Sequence, residues 1–236
     1  YRGKESVSKS GKKVLLCANI GCPEDAEAAI AGDAEGVGLF RSEFLYLQND
    51  DYPTEEQQFT AYKRVVETLA PKLVIIRTCD IGADKTIDYM HLDKEENPAL
   101  GFRAIRICLT RKEFFKKQLR ALLRASAYGN MGIMFPMIIS KWELVEAKAL
   151  LEECKAELIK EGHKVGKFQV GIMIETPASV FVADELAEEG LAAFVGPTFG
   201  SKSKIELANK SYETPGILSK AGVKVSIITD SPVIPQ

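Results

Sequence analysis

Histidine is almost missing from this chain: His91 and His163 are the only two in 236 residues. A site built on a histidine cluster is thereby nearly excluded. Cysteine offers no substitute. Cys17, Cys22, Cys79, Cys108 and Cys154 lie far apart with no CxxC spacing, and an odd, dispersed set suits a reducing compartment and mostly buried thiols. No apolar run approaches the roughly 18 residues that a membrane-spanning helix needs. The first residues, YRGKESVSKSGKK, carry no signal-peptide core. An excess of either charge is lacking too: 31 basic against 33 acidic side chains leave a formal net charge of -2, without the basic surplus of a nucleic-acid surface. These absences suggest a chain of a reducing compartment that binds neither nucleic acid nor membrane.

What is present is a regular alternation. A hydrophobic content of 46% suits one large core and is too little for two ordinary α/β domains. Short, branched apolar runs predict strands over 14–20, 36–40, 73–77, 133–137, 170–174, 192–195 and 223–229. Between them stand helix starts. Thr54 with Gln57 and Ser140 with Glu143 read as capping boxes, and Thr176-Pro177 and Thr214-Pro215 as caps before a first-turn proline. Repeated strand-then-helix order without a nucleotide fingerprint predicts a single α/β domain over 1–236, a TIM-type (βα) barrel with an N-terminal hairpin over 1–13. The count of seven strands is one short of the eight that close such a barrel. That leaves either a strained closure or bare edges at 14–20 and 223–229, and bare apolar edges favour a homodimer.

Two connections, 42–54 and 78–100, are longer than a barrel needs and follow the second and third strands, where functional loops gather. Arg41 closes the second strand and Arg77 the third. Two guanidinium forks at one mouth suit a phosphate or carboxylate. Equally, each could pair with a nearby acid, Arg41 with Glu43 and Arg77 with Asp80 or Asp84. Glu175 follows the apolar run VGIMI and directly precedes the Thr-Pro helix start, so it too is expected at the mouth. There it could hold Mg²⁺ against a phosphorylated ligand, or form a salt bridge with the arginines. Lys85 reads as a solvated loop lysine that can add charge to an anion site. In GFRAIR, Arg106 reads as a surface residue and Arg103 stays undecided on spacing alone.

GVGLFRSEFLYL, PTEEQQFTAYKRVVE, VIIRTCDIGADK, KEENPALGFRAIRICL, QLRALLRASAYGNMGIMFPMI and VGIMIETPAS occur in order over about residues 1–187. Together they resemble the C-terminal barrel of the enzyme I family, the phosphoenolpyruvate–protein phosphotransferases of bacterial sugar uptake. The pyruvate phosphate dikinase barrel fits less closely. The resemblance implies that Arg41 and Arg77 grip the phosphate of phosphoenolpyruvate, that Arg103 is a further ligand-side arginine, and that Glu175 is one of two Mg²⁺ carboxylates. It also implies motifs this chain does not carry: a GTNDLTQY-like strand end with the second carboxylate, and an MCGE-like segment with the proton-donating cysteine.

In their place stands AFVGPTFGSKSKIELANKSYETPGILSKAGVKVSIITDSPVIPQ, which resembles the last two βα units of imidazolonepropionase-like amidohydrolases. That second resemblance makes Asp230 a metal-ligand candidate and puts a join near 189–193, with enzyme I-like units over 14–189 and amidohydrolase-like units over 190–236. The expectation is a recombined or engineered barrel without turnover, binding phosphoenolpyruvate or phosphate weakly, with Mg²⁺ not required for folding. The alternatives are a functional phosphoenolpyruvate-binding fragment of a phosphotransferase and, against the histidine count, a metal-dependent amidohydrolase.

Overall fold

The computed structural model describes residues 3–85, 87–195, 214–220, 222–223 and 225–227. Seven strands form one parallel sheet in sequence order: β1 (Ala18–Ile20), β2 (Gly36–Arg41), β3 (Leu73–Arg77), β4 (Met131–Phe135), β5 (Phe168–Ile174), β6 (Ala192–Val195) and β7 (Val225–Ile227). Sequence order with parallel neighbours requires a crossover between each pair. Helices are described in every one of them: α1 (Asp25–Ala31), α2 (Phe44–Leu47) with α3 (Glu55–Leu69), α4 (Ile105–Thr110) with α5 (Lys112–Ala125), α6 (Lys141–Lys160), α7 (Pro177–Phe181) with α8 (Ala183–Ala187), and α9 (Thr214–Lys220). Among the described residues no pairing joins β7 back to β1, and no eighth strand is found.

Local chemistry accounts for the main helices. Thr54 Oγ1 accepts the Gln57 N–H at 3.2 Å while Gln57 Oε1 accepts the Thr54 N–H at 2.8 Å, a complete capping box. From there Gln58, Tyr62, Val65, Val66 and Leu69 fall on one buried face of α3. In α5 the buried face is Phe115, Gln118, Leu119, Leu122 and their neighbours, and α5 packs between α3 and α6. The main core lies between these helices and the sheet, around Phe40, Ile76, Phe115, Leu119, Phe135 and Ile172.

Several elements differ from the strands and helices expected of the sequence. The first strand is only Ala18–Ile20. Val14, Leu15 and Leu16 are exposed, and the Leu16 N–H goes to Glu35 Oε2 at 2.8 Å instead of a ladder partner. The fourth strand begins at Met131 and stops before Pro136, which has no N–H to give a ladder. The helix that Thr176-Pro177 starts is broken at Val182 (φ −105°, ψ 19°) into α7 and α8. Ser140 caps α6, but Glu143 turns its carboxylate to the Ile139 N–H at 2.7 Å, so the second capping box is only half formed. Thr214 lies inside α9, while the residue before it is outside the described set. Conversely, β6 pairs parallel to β5 with Phe194 beside Met173, as the apolar run at 192–195 predicts. A short antiparallel bridge joins Val7 to Lys13 in the N-terminal hairpin.

Candidate functional site

Strand periodicity puts the site together. Side chains alternate faces along a strand, so Leu39 and Arg41 share one face of β2, Ile75 and Arg77 one face of β3, and Met173 shares its face of β5 with Glu175 just past the strand end. Leu39, Ile75, Met134 and Met173 form a second, small apolar cluster on that face, apart from the helix-facing core. Arg41 and Arg77 are register partners at the ends of neighbouring strands. The Arg77 Nη1 N–H approaches Met173 Sδ at 4.0 Å. Both arginines and Glu175 therefore stand at the C-terminal ends of the strands, above the small cluster.

Charge, not contact with solvent, organises Arg77. It is 8% exposed, and an unpaired guanidinium there would be costly. Nη2 donates to Glu43 Oε1 at 2.9 Å and Nη1 pairs with Asp80 Oδ2 at 2.9 Å. Burial opposes the charge, but Glu43 and Asp80 outweigh it and raise the Arg77 pKa above its ordinary value. Asp80 reaches Arg103 with its other oxygen: Oδ1 accepts Nη2 at 2.8 Å and Nε at 3.1 Å. Burial works against the Asp80 carboxylate, yet these two arginines hold its pKa below the usual value. Glu43 Oε1 also takes the Asp80 N–H at 3.0 Å. Arg77 Nε is buried and among the described residues finds no hydrogen-bond partner. Of the two readings of Glu43, the pairing with Arg41 is not the one found: Glu43 serves Arg77, because the loop after β2 turns it toward β3.

Arg103 joins the site through Asp80 and also lies 3.4 Å from Asp84 Oδ1. Gly82 makes room for it, since a Cβ there would stand 2.8 Å from the Arg103 Cβ. Lys85 is not a solvated loop lysine. It is half-buried and donates to the Asp80 carbonyl at 3.2 Å. Nor is Arg106 on the surface: it donates to the carbonyls of Gly101 at 2.6 Å and Met137 at 3.3 Å, and its Nε lies 3.8 Å from Glu143 Oε1.

Met137 is the link to Glu175. Its φ of 59° is unusual for a side chain of its kind, and the turn directs its N–H to Glu175 Oε1 at 2.8 Å. Thr176 Oγ1 holds the next carbonyl, that of Ile138, at 2.8 Å. Glu175 makes no ion pair among the described residues. Burial first, and the negative charge of Asp80 second, push its pKa up to about 7 against the pull of the Met137 N–H, Arg77 and Arg103. Among the described residues no group of three or more His, Cys, Asp or Glu could hold a metal ion. Glu175 Oε2 accepts no hydrogen bond there, so the donor set fits Mg²⁺ only together with ligand phosphate oxygens, as this cation often binds. Asp230 lies outside the described residues.

Described residues of both long loops pack into the site. Thr78, Cys79 and Ile81 are buried, as are Leu45 and Tyr46 of α2. The loops staple to each other: the Tyr52 and Tyr89 rings stand 5.0 Å apart, and the Tyr89 hydroxyl donates to the Tyr46 carbonyl at 2.6 Å. Sequence reasoning missed the double role of Asp80, the turned Met137, and a buried polar residue, Gln118, on the apolar face of α5. The last had a signal, a glutamine three residues after Phe115 and four before Leu122 on a core-facing stripe.

The five cysteines are free, with Cys79, Cys108 and Cys154 buried. Among the described residues no helix is long and apolar enough to cross a membrane.

Comparison with known proteins places the chain in a family. The family model described as "PEP-utilising enzyme, PEP-binding domain" matches residues 1–200. The chain is 52% identical over 187 residues to the phosphoenolpyruvate-protein phosphotransferase of Priestia megaterium, covering 79% of this chain and 33% of that protein. It is 52% identical over 185 residues to that of Bacillus subtilis (78% and 32%) and 51% identical over 189 residues to that of Mycoplasma capricolum (80% and 33%). The chain spans about a third of the length of these curated relatives. The family match runs through the expected join at 189–193 to residue 200. The first residues of the amidohydrolase-like segment therefore fall inside the matched domain, and the reading as a recombined, engineered barrel gains no support.

Proposed function

The chain belongs to the PEP-utilising enzymes through their PEP-binding domain, and from that premise we propose that it is a phosphoenolpyruvate-binding part of a phosphotransferase. One observation carries the reading: Arg41 and Arg77 are register partners at the ends of adjacent strands, on the face that Glu175 also occupies. Arg103 is fastened to the same group through Asp80. The arginines supply forks for phosphate and carboxylate oxygens. Glu175, with ligand oxygens and water, supplies the protein's share of a Mg²⁺ shell; the ion, when bound, neutralises phosphate charge.

The affinity expected is weak. Glu43 and Asp80 already occupy much of the Arg77 fork, so a ligand must compete with internal carboxylates. Two or three charge-assisted bonds of about 1.5–3 kcal/mol each, less ordering costs, give dissociation constants on the order of millimolar. Calorimetric titration with phosphoenolpyruvate and with inorganic phosphate, each with and without Mg²⁺, tests this. Binding that Mg²⁺ strengthens and that Arg41→Met/Arg77→Met abolishes in a folded protein supports the reading. Unchanged binding in that double variant sinks it. Turnover is a separate matter. The chain carries neither the second carboxylate motif nor the MCGE-like segment that the resemblance implies, and phosphoryl transfer needs donor, metal and acceptor positioned together. A coupled pyruvate assay is expected to stay at the buffer rate.

Self-association belongs to the same proposal, because β1 and β7 are the two edges of the described sheet. Light scattering across a concentration series tests it, and a monomer at all concentrations removes it.

A further inference from the structure

We propose that Gln118 is a positioning residue for the anion site, tying the exits of β2 and β3 to each other from the helical layer. The inference rests on the reading that Arg41 and Arg77 grip a phosphorylated ligand. Gln118 lies on α5 and is 0% exposed. Packing alone would favour leucine at this place, because a buried amide is costly unless its polar groups are bonded. Here the amide is engaged at both ends. Oε1 accepts the Cys79 N–H at 2.9 Å. Nε2 donates to Ser42 Oγ at 3.1 Å and to the Tyr62 hydroxyl at 3.0 Å.

The partners give the arrangement its meaning. Ser42 directly follows Arg41, and Cys79 stands two residues after Arg77 and one before Asp80. One amide therefore holds a residue from each of the loops that carry the arginines and their acids. The Tyr62 hydroxyl donates to Gln58 Oε1 at 3.1 Å, and Gln58 Nε2 donates to the Pro53 carbonyl at 3.1 Å, which anchors the amide to α3 and to the end of the loop after β2. Glutamate at this position could not donate, leucine or methionine could do neither, and asparagine is one carbon shorter. A primary amide of this length has the acceptor and the two donors that the three partners need. Gln118 makes no hydrogen bond to a guanidinium, so its effect passes through the backbone on which Arg41, Glu43, Arg77 and Asp80 are mounted.

A merely structural network would give a different result, and Tyr62→Phe separates the two. That change breaks the link to Gln58 but leaves Gln118 bonded to both loops. Thermal midpoints, inorganic phosphate affinity at a temperature where each protein is fully folded, and amide hydrogen exchange at Asp80 are measured for the parent, Gln118→Met and Tyr62→Phe. Both variants should melt earlier. Phosphate binding should weaken about tenfold in Gln118→Met and less than about twofold in Tyr62→Phe, because small displacements of a preorganised site are felt strongly. The Asp80 amide, which donates to Glu43 and not to Gln118, should exchange faster in Gln118→Met alone. Phosphate affinity in Gln118→Met equal to the parent, or the same loss in both variants, overturns the proposal. A parent that binds no phosphate defeats the functional reading instead, and Asp80 exchange then decides: an unchanged rate in Gln118→Met overturns the inference. Should Gln118→Met not fold, Ser42→Ala removes the same link from the loop side with one atom deleted, and unaltered phosphate affinity and Asp80 exchange there have the same force.

Discussion

Arg77 and Asp80, three residues apart at the exit of β3, form an ion pair of 2.9 Å with side chains only 10% and 9% exposed. The same carboxylate neutralises Arg103. Removing its charge leaves two hidden guanidiniums short of a partner, and breaking a buried pair from one side costs about 3–5 kcal/mol. Asp80→Asn is therefore expected to destabilise the fold by about 3 kcal/mol or more in urea denaturation. A loss below 1 kcal/mol would mean that water already carries most of this charge. The pKa of Asp80 is held below its ordinary value. Its stabilisation is thus complete above the unfolded-state pKa and fades as pH falls through the lower folded value. Asp80→Asn should flatten the acid limb of the stability curve below about pH 4.

Glu175 has the opposite sign. Its folded pKa is pushed up to about 7 from 4.5, so between those values the folded state holds a proton that the unfolded state has released. Stability from this group is full below the unfolded pKa and declines as pH rises through the folded one. Glu175→Gln keeps an acceptor for the Met137 N–H and removes the titration. Its stability relative to the parent should rise from pH 5 to pH 8 by roughly 2–3 kcal/mol. Parallel curves for the two proteins over that range would refute it.

The sequence was most legible where one rule acted alone. The Thr54–Gln57 capping box and the run at 73–77 appear as read, because a cap and a buried parallel strand each depend on a few adjacent residues. The positions of Arg41, Arg77 and Glu175 followed from the same logic, as polar residues ending apolar strands. Partnership was not legible. Glu43 sits two residues from Arg41 yet serves Arg77, since the choice depends on how the loop folds over the neighbouring strand. Arg106 and Gln118 were hidden for a related reason: besides Gly101, the partners of Arg106 lie 31 and 37 residues away, and those of Gln118 lie 39–76 residues away. The residues at 14–16 were misread because apolar composition cannot tell a ladder strand from an exposed approach to one.

Arg106 offers a test of the turn at Met137. Its guanidinium satisfies the Gly101 and Met137 carbonyls and faces Glu143. Arg106→Met removes these donors and should cost about 2 kcal/mol. It should also weaken any Mg²⁺-dependent part of phosphate binding, because the turn positions Glu175. Phosphate binding without Mg²⁺ should change little. Equal losses with and without the cation would assign Arg106 to general packing.

On the outer layer, Arg120 meets Glu55 at 2.6 Å on α3, Glu157 at 3.3 Å on α6, and Glu161 at 2.6 Å just beyond it. Such a network exceeds an isolated surface pair yet remains open to screening. Arg120→Met is expected to lower stability by about 1 kcal/mol at low ionic strength. In 1 M salt, where the Debye length is about 3 Å, less than half of that should remain. Salt-independent destabilisation would instead trace the effect to the packing of the arginine stem.

Burial along the sheet is uneven, and this carries a kinetic consequence. All five residues of β4 are buried, and α5 beside it buries seven of its fourteen. In β1 only Ile20 is buried, and that strand is paired on one side. Opening free energies should follow this gradient, since well-packed elements open only with the whole molecule while sparsely packed ones open alone. Among the described residues, a protease offered the native protein would then cut first within the largely exposed residues 3–16 and leave a nicked species still folded around β3, β4 and α5. The arginine cluster sits on the slow side of that gradient, so cleavage at the hairpin and phosphate binding should prove to be independent events.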